Sequence, residues 1–121
     1  MEYRLSLVPH PDYLHASVTG THSAENVERF LREVREACAA RGVSACLLEV
    51  RFSGPSLATG SIFSVISKES AEAKTLRKVA YVDPSDRDPA KIKFAETVAL
   101  NRGVNVRLFA SVEEARRWLE E

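Results

Sequence analysis

The spacing of apolar residues switches between strand-type and helix-type several times along this chain, and that order limits its fold more than any single motif. Residues 3–8 and 13–19 alternate apolar and polar side chains, and the turn-forming stretch PHPD lies between them. Two alternating runs around a short turn are typical of an antiparallel hairpin with one solvent-exposed face. The sequence therefore predicts that the chain begins with two paired strands.

A helix is predicted directly after this hairpin. Its apolar residues recur every three to four positions and form one face: Val27, Phe30, Leu31, Val34 and Cys38. Ser23 suits the cap at the helix start, because its hydroxyl can accept a hydrogen bond from a free backbone N–H. Gly42 can end the helix in the left-handed conformation.

Three further helices have recognisable starts or stops. The second is predicted over residues 60–73. The third begins with Asp88 as a cap and Pro89 in the first turn, and it stops at Gly103. The last follows the capping box that Ser111 opens, SVEE, and its apolar residues again fall on one face.

Strands are predicted between these helices, over residues 44–50, 77–82 and 104–109. The first of the three is continuously apolar, which indicates a central position in a sheet. The element order is β-β-α-β-α-β-α-β-α, and alternating strands and helices imply parallel pairing. We expect one α/β domain, residues 1–121, with a five-stranded, mixed but mostly parallel sheet, four helices and one partly uncovered sheet face.

Charge and apolar content exclude several classes of function. The 17 Lys and Arg residues balance the 17 Asp and Glu residues, so the basic stripe that nucleic acid requires is missing. We see no run near the ~20 apolar residues of a membrane span, and no signal peptide at the start. Cys38 and Cys46 are predicted to be buried free thiols, which suits a reducing compartment. We therefore expect a cytoplasmic protein with no transmembrane segment.

Hydroxyl groups and glycines are concentrated where the central strand gives way to the second helix, in residues 51–61. Ligands of open α/β sheets gather beyond the carboxyl ends of the parallel strands, and a helix N-terminus there favours an anion. Residues 83–88 follow the next strand and reach the same edge. The candidate residues for binding a ligand or partner are Ser56, Thr59, Gly60, Ser61, Asp83 and Asp86. Loop and cap chemistry without any ligand is the alternative explanation of these residues.

No nucleotide-binding or nucleophile motif accompanies this loop. Five residues separate Gly54 from Gly60, whereas a P-loop has four, and Ser61 stands where its lysine belongs. The patterns G-x-G-x-x-G and G-x-S-x-G are missing as well. Glu49, which interrupts the central strand, needs a partner, and Arg51 or Arg107 would serve. A structural ion pair explains Glu49 better than a catalytic acid, so we expect no enzyme activity.

Metal-ligating residue types are present but dispersed. His10, His15 and His22 fall on different parts of the predicted hairpin and helix start, so we treat them as scattered surface residues. The aspartates at 83, 86 and 88 could hold a divalent cation, but turn and cap chemistry accounts for them. We expect no metal and no cofactor.

The whole layout resembles the STAS domain, the bacterial anti-sigma-factor antagonist module, and within it the SpoIIAA-like group. The likeness is most specific in NRGVNVRLFASVEEARRWL, residues 101–119, where a helix-ending glycine, a short strand and a capped helix follow in turn. The resemblance implies a non-catalytic regulatory or binding module that contacts a protein partner or a small ligand at the carboxyl edge of the sheet. A homodimer is compatible with an exposed sheet face or edge.

The family's phosphorylated serine lies in an Asp-Ser-Ser/Thr-Gly segment at the start of the second helix. When its glycine is matched to Gly60, Leu57 replaces the aspartate and Ala58 replaces the switch serine. Only a shifted register brings Thr59 or Ser61 to the phosphorylated position. The resemblance also implies an alternative function, a lipophilic-ligand-binding or membrane-associated carrier, because SpoIIAA-like proteins share a core with lipid-transfer domains. The apolar residues of the second helix, which include Phe63, could cover such a ligand.

Overall fold

The computed structural model describes residues 2–84 and 88–121. The strands are β1 (Tyr3–Pro9), β2 (Leu14–Thr21), β3 (Ala45–Ser53), β4 (Lys78–Val82) and β5 (Val106–Phe109). The helices are α1 (Ala24–Arg41), α2 (Thr59–Ala73), α3 (Pro89–Asn101) and α4 (Val112–Leu119). This element order is the one that the sequence predicts.

The five strands form one sheet in the order β1-β2-β3-β4-β5. β1 and β2 pair antiparallel, with Leu5 opposite Val18, and the three remaining pairs are parallel. β3 is the central strand, which agrees with its apolar sequence. The predicted mixed, mostly parallel sheet is therefore confirmed.

The main core lies between one sheet face and helices α1, α2 and α3. The inward residues of β2, which include Leu14 and Val18, are fully buried there against Phe30 and Val34 of α1. α4 packs on the other face against β3, β4 and β5, over a smaller core that contains Leu47 and Leu119. The β1 side of that second face is exposed, so the predicted partial coverage of the sheet is confirmed.

The predicted helix caps are present. The side chains of Ser23, Asp88 and Ser111 each accept a hydrogen bond from a backbone N–H in the first turn of α1, α3 and α4. Gly42 adopts the left-handed conformation after α1, with φ +70°, and its N–H bonds back to the helix. These local signals set the helix ends because they satisfy groups that no helical hydrogen bond reaches.

The end of β3 differs from the prediction. The strand continues to Ser53, three residues beyond the predicted end at Val50, because its partner β2 also continues, and Thr21 pairs with Ser53. The loop that carries the candidate site is correspondingly shorter and spans residues 54–58. The chain therefore turns directly from a paired central strand into α2.

Candidate functional site

The loop between β3 and α2 is held from both sides. Gly54 has φ +102°, a left-handed backbone conformation that lets the chain leave the strand sharply. On one side, the Nδ1 atom of His22 lies 3.1 Å from the Pro55 carbonyl oxygen. On the other, the ammonium of Lys91 donates to the Leu57 carbonyl oxygen at 2.9 Å. These contacts connect the loop to the starts of α1 and α3.

We call the surface formed by His22, residues 54–61 and Lys91 the carboxyl rim. β3 and β4 are parallel neighbours, with Glu49 opposite Val82, so Asp83 follows the carboxyl end of β4, while β3 continues four residues beyond Glu49 to Ser53. Asp83 is half-buried. That the loop after β3 and residues 83–88 form one site stays a prediction, because part of residues 83–88, including the predicted site residue Asp86, lies outside the described residues.

The start of α2 is unusual among the four helices. Its N-cap is Ala58, which has no side-chain oxygen to cap the helix, and the first turn carries no acidic residue. Thr59 and Gly60 are exposed, and Ser61 is half-buried. Capping by the Thr59 or Ser61 hydroxyl, one role that the sequence suggested, does not occur because both residues lie inside the helix. The positive end of the α2 dipole therefore faces the carboxyl rim without a neutralising side chain.

A cavity of about 90 Å³ opens at the carboxyl rim. Its polar lining residues are His22, Ser56 and Lys91, and the rest of the lining is Leu57 and apolar residues of α1, α2, α3 and the sheet. Ser56 is thus the candidate residue that the structure places at the cavity. Its position follows from the loop path, which no sequence motif specifies.

A second cavity, of about 110 Å³, lies between the same three helices and the sheet, farther from the carboxyl rim. It shares five wall residues with the first, namely Leu31, Ile66, Tyr81, Ile92 and Ala95. The two cavities are therefore neighbours beneath α2 and α3. Both are lined mainly by carbon atoms, as small-molecule sites usually are.

Two buried carboxylates line the second cavity, and each has a cationic partner. Glu69 of α2 accepts from Arg35 of α1 at 2.6 Å, and Glu96 of α3 accepts from Lys93 at 2.5 Å. The second oxygen of Glu96 accepts from the backbone N–H of Leu108 at 3.3 Å. The carboxylate that interrupts the apolar side of α3 is therefore structural, because it joins the helix to β5.

A polar cluster that the sequence analysis did not assemble lies on the exposed part of the second sheet face. His15 Nε2 lies 2.9 Å from one oxygen of Glu49, and the Ser17 hydroxyl donates to the same oxygen at 3.3 Å. Arg51 donates to the other oxygen from Nε at 2.9 Å and from Nη2 at 2.6 Å. Of the two predicted partners of Glu49, the structure selects Arg51. His15 is no scattered surface residue, since its side chain is only 19% exposed.

The electrostatics of this cluster favour an ionised Glu49. Partial burial acts to raise the pKa of Glu49, but hydrogen bonds and positive charge from Arg51 and His15 outweigh burial and lower it. The arrangement is not a catalytic triad. The single nitrogen Nε2 of His15 faces both Ser17 and Glu49, whereas a triad needs the hydroxyl and the carboxylate on opposite ring nitrogens.

The sequence feature that could have indicated this cluster is the alternation of polar residues in β2 and β3. His15 and Ser17 occupy alternate positions of β2, as Glu49 and Arg51 do in β3, so each pair shares a face. Their meeting depends on strand register, in which Ser17 lies opposite Glu49. Sequence spacing alone does not give that register.

Within residues 2–84 and 88–121, no three metal-ligating side chains are placed to hold one ion. Over the same residues, no helix combines the length and apolar character needed to cross a membrane.

A family model described as SpoIIAA-like matches residues 13–120, which is nearly the whole chain. The chain belongs to the SpoIIAA-like family. The predicted family and fold are therefore confirmed. No curated protein matches the sequence.

Solved structures agree with this SpoIIAA-like assignment. An anti-sigma factor antagonist from Mycobacterium paratuberculosis aligns with a TM-score of 0.62 at 15% identity, over 98% of this chain and 95% of that one. An uncharacterized protein of the DUF3478 family with a SpoIIAA-like fold, from Shewanella loihica, aligns with a TM-score of 0.55 at 18% identity, over 98% of this chain and 94% of that one. At these identities the likeness concerns the fold.

In this member, Ala58 is both the N-cap of α2 and the residue at the family's switch-serine position. The matched register therefore offers no hydroxyl for phosphorylation there.

Proposed function

We propose that this chain is a non-catalytic regulatory module that binds a protein partner through the carboxyl rim. One observation carries the proposal: the uncapped start of α2 projects its exposed first turn beside a loop that His22 and Lys91 hold in place. Held loops and exposed helix starts are suitable for binding because little conformational entropy is lost on association.

The chemistry of the carboxyl rim favours an acidic segment of the partner. The free N–H groups and the dipole at the start of α2 attract negative charge, and the Lys91 ammonium lies at the same edge. Thr59, Gly60, Ser61 and Ser56 supply small side chains that permit close approach of another backbone. Asp83 would border this contact, and Asp86 is retained as a proposed contact from the sequence.

We also propose Thr59 and Ser61, both in the carboxyl rim, as phosphorylation sites. Thr59 is the more accessible of the two, because it is exposed in the first turn whereas Ser61 is half-buried. A phosphoryl group on Thr59 would be tolerated beside the helix dipole, and it would repel an acidic partner segment. Phosphorylation would then release the partner, with Thr59 in place of the family's serine.

The test compares proteins retained by three forms of the immobilised chain. Thr59→Glu adds bulk and negative charge at the carboxyl rim, and Thr97→Glu makes the same change at an exposed position of α3. We expect a protein that the wild type and Thr97→Glu retain but Thr59→Glu loses, and that binds again as a purified component. Equal retention by all three forms would count against the carboxyl rim as the binding surface.

We propose a second candidate function, the binding of a small lipophilic ligand, on the basis of the two adjoining cavities. Together they offer a largely apolar space between α2, α3 and the sheet, with Lys91 and His22 at the outer end. An apolar chain with a polar or anionic head group matches that distribution of carbon and polar atoms. In this function the chain would carry the ligand in the two cavities, with the ligand's polar head group at the carboxyl rim.

A substitution that fills the cavities distinguishes the binding of a lipophilic ligand from the binding of a protein partner. Ala95 lines both cavities, so Ala95→Leu should weaken binding of a fluorescent fatty acid at least several-fold. Ala71→Leu makes the same change on the exposed face of α2 and should leave binding unchanged. Native mass spectrometry of the purified chain without any bound apolar molecule, together with no probe binding, would exclude the carrier function.

A further inference from the structure

The two edges of the sheet differ in whether their backbone groups are covered. At the β5 edge, Val79 donates to the Asn105 carbonyl oxygen, so the alternate residue Leu108 directs its N–H away from β4. The Glu96 carboxylate accepts from that N–H at 3.3 Å. A side chain therefore occupies a backbone donor at this edge, and covering an edge is one way in which proteins prevent sheets from pairing.

β1 forms the other edge, and the hydrogen bonds at its two ends assign the direction of its backbone groups. Thr21 donates to the Glu2 carbonyl oxygen, and His10 donates to the Tyr13 carbonyl oxygen, each at 2.9 Å. Directions alternate in an antiparallel pair, so the even-numbered residues of this stretch bond to β2, and the odd-numbered residues direct their N–H and C=O groups outward. Pro9 agrees with this assignment, because an outward position needs no N–H.

The outward backbone groups of β1 are open to another strand. In the part of the chain that the structure describes, the outward N–H and C=O groups of Tyr3, Leu5 and Leu7 have no hydrogen-bond partner. The register of β1 with β2 is continuous, without a bulge, and the Leu5 and Leu7 side chains are only half-buried. A regular edge with apolar side chains is a template on which a further strand can add.

We propose that two copies of this chain pair through their β1 strands, antiparallel about a two-fold axis at Ser6, and so form one continuous sheet. In this register Leu5 lies opposite Leu7 of the second copy, and the two residues exchange both of their backbone hydrogen bonds. The Tyr3 N–H donates to the Pro9 carbonyl oxygen of the second copy. This interface uses no residue of the carboxyl rim, so it is independent of what the carboxyl rim binds.

The side chains of β1 are complementary to themselves in this register, which identifies a second copy as the partner. Glu2 lies opposite His10 of the second copy, and Arg4 lies opposite Val8. Val8 is 48% exposed in the single chain, and the aliphatic stem of the arginine covers it in the pair. An axis one residue earlier sets Glu2 opposite Val8, without a countercharge. An axis two residues earlier sets two Arg4 side chains against each other, and an axis one residue later sets Arg4 opposite His10.

The oligomeric state of the whole chain tests the proposal. Size-exclusion chromatography with light scattering, over a range of concentrations, should detect a particle of twice the 13.4 kDa chain mass as the concentration rises. Ser6→Arg brings like charges together at the axis and should raise the dissociation constant of the dimer by about tenfold or more. Ser64→Arg, at an exposed position of α2, is the matched control and should leave that constant unchanged. A monomer at every concentration, or a dimer that Ser6→Arg leaves intact, would overturn the proposal.

A disulfide across the axis checks the register. Ser6→Cys places two thiols directly opposite each other in a non-hydrogen-bonded pair, where Cβ atoms about 4.5–5.5 Å apart are close enough to be joined. The native Cys38 and Cys46 are each 1% exposed and so are protected from mild oxidation. We expect oxidation to link Ser6→Cys chains into covalent dimers and to leave Arg4→Cys chains unlinked, because the latter thiol faces Val8 of the second copy. Unlinked Ser6→Cys chains, or equal linking of the two variants, would contradict the proposed pairing.

Discussion

The Glu49 carboxylate and the His15 imidazole lie 2.9 Å apart across two parallel strands, on the exposed part of the second sheet face. Arg51 holds the other oxygen of Glu49 through two hydrogen bonds. The charge in the central strand is therefore neutralised in place, which explains how an otherwise apolar strand accommodates a glutamate.

Acid should weaken the fold through Glu49. Its pKa is lowered from the ordinary value of 4.5, so the ionised form stabilises the fold above that pH, and the stabilisation is lost as the pH falls through the folded-state pKa. We expect Glu49→Gln to lower the free energy of unfolding by about 1–2 kcal/mol near neutral pH and by much less at about pH 3. Urea unfolding at both pH values measures the difference. Glu36→Gln, at an exposed position of α1, should have little effect, and an equal cost of Glu49→Gln at both pH values would contradict the prediction.

Gly20 should tolerate no side chain. It has φ +132°, and a Cβ atom there would lie 2.3 Å from the Glu2 carbonyl oxygen. We expect Gly20→Ala to lower the free energy of unfolding by about 2–3 kcal/mol, because both the conformation and the close backbone approach resist it. Gly60→Ala is the control, since Gly60 is helical and nothing lies within 4 Å of its Cβ position. Urea unfolding that ranks Gly60→Ala as the more damaging change would be inconsistent with this backbone geometry.

The ion pair between α1 and α2 should behave as a buried pair. Glu69 is nearly buried, so Arg35→Met leaves a carboxylate without its cation and should cost about 3 kcal/mol. The double variant Arg35→Met/Glu69→Leu removes both charges and should recover most of that loss. Thermal unfolding of the single and double variants tests this coupling. If the loss of stability in the double variant equals the sum of the losses in the two single variants, the two charges do not stabilise the fold as a pair.

The missing cap of α2 should be replaceable. Ala58→Ser places a hydroxyl where a backbone N–H of the first turn can donate to it, and we expect the free energy of unfolding to rise by about 0.5–1 kcal/mol. Ser111→Ala is the reverse change, since the Ser111 side chain accepts from the Glu114 N–H, and should cost about 1 kcal/mol. Chemical denaturation measures both, and a loss of stability in Ala58→Ser would indicate that the start of α2 is packed rather than open.

Local rules made most of the fold predictable. Alternating residues such as Leu14 and Val18 identified a strand with one buried face, and the caps at Ser23 and Ser111 fixed where helices begin. Each of these signals depends on only a few neighbouring residues, so the sequence alone is enough to recognise it. The extension of β3 to Ser53 was missed because a strand end depends on whether a neighbouring strand continues beside it.

The candidate site was only partly predictable for the same reason. The sequence indicated the edge of the sheet and the hydroxyl-rich loop, because a strand followed by a helix start has a known polarity. It did not indicate that Lys91 and His22 hold the loop, nor that a cavity opens behind Ser56. Those contacts join residues far apart in the chain, and their geometry comes from helix packing.

The sequence by itself determined the order of the elements, since this order follows from apolar periodicity and local capping, and its resemblance to SpoIIAA-like sequences indicated the family. Only the tertiary structure decided that Glu49 meets His15 and that Arg35 meets Glu69. The physical reason is that strand register and helix-on-sheet packing, which minimise exposed apolar area over the whole domain, choose which distant side chains come into contact.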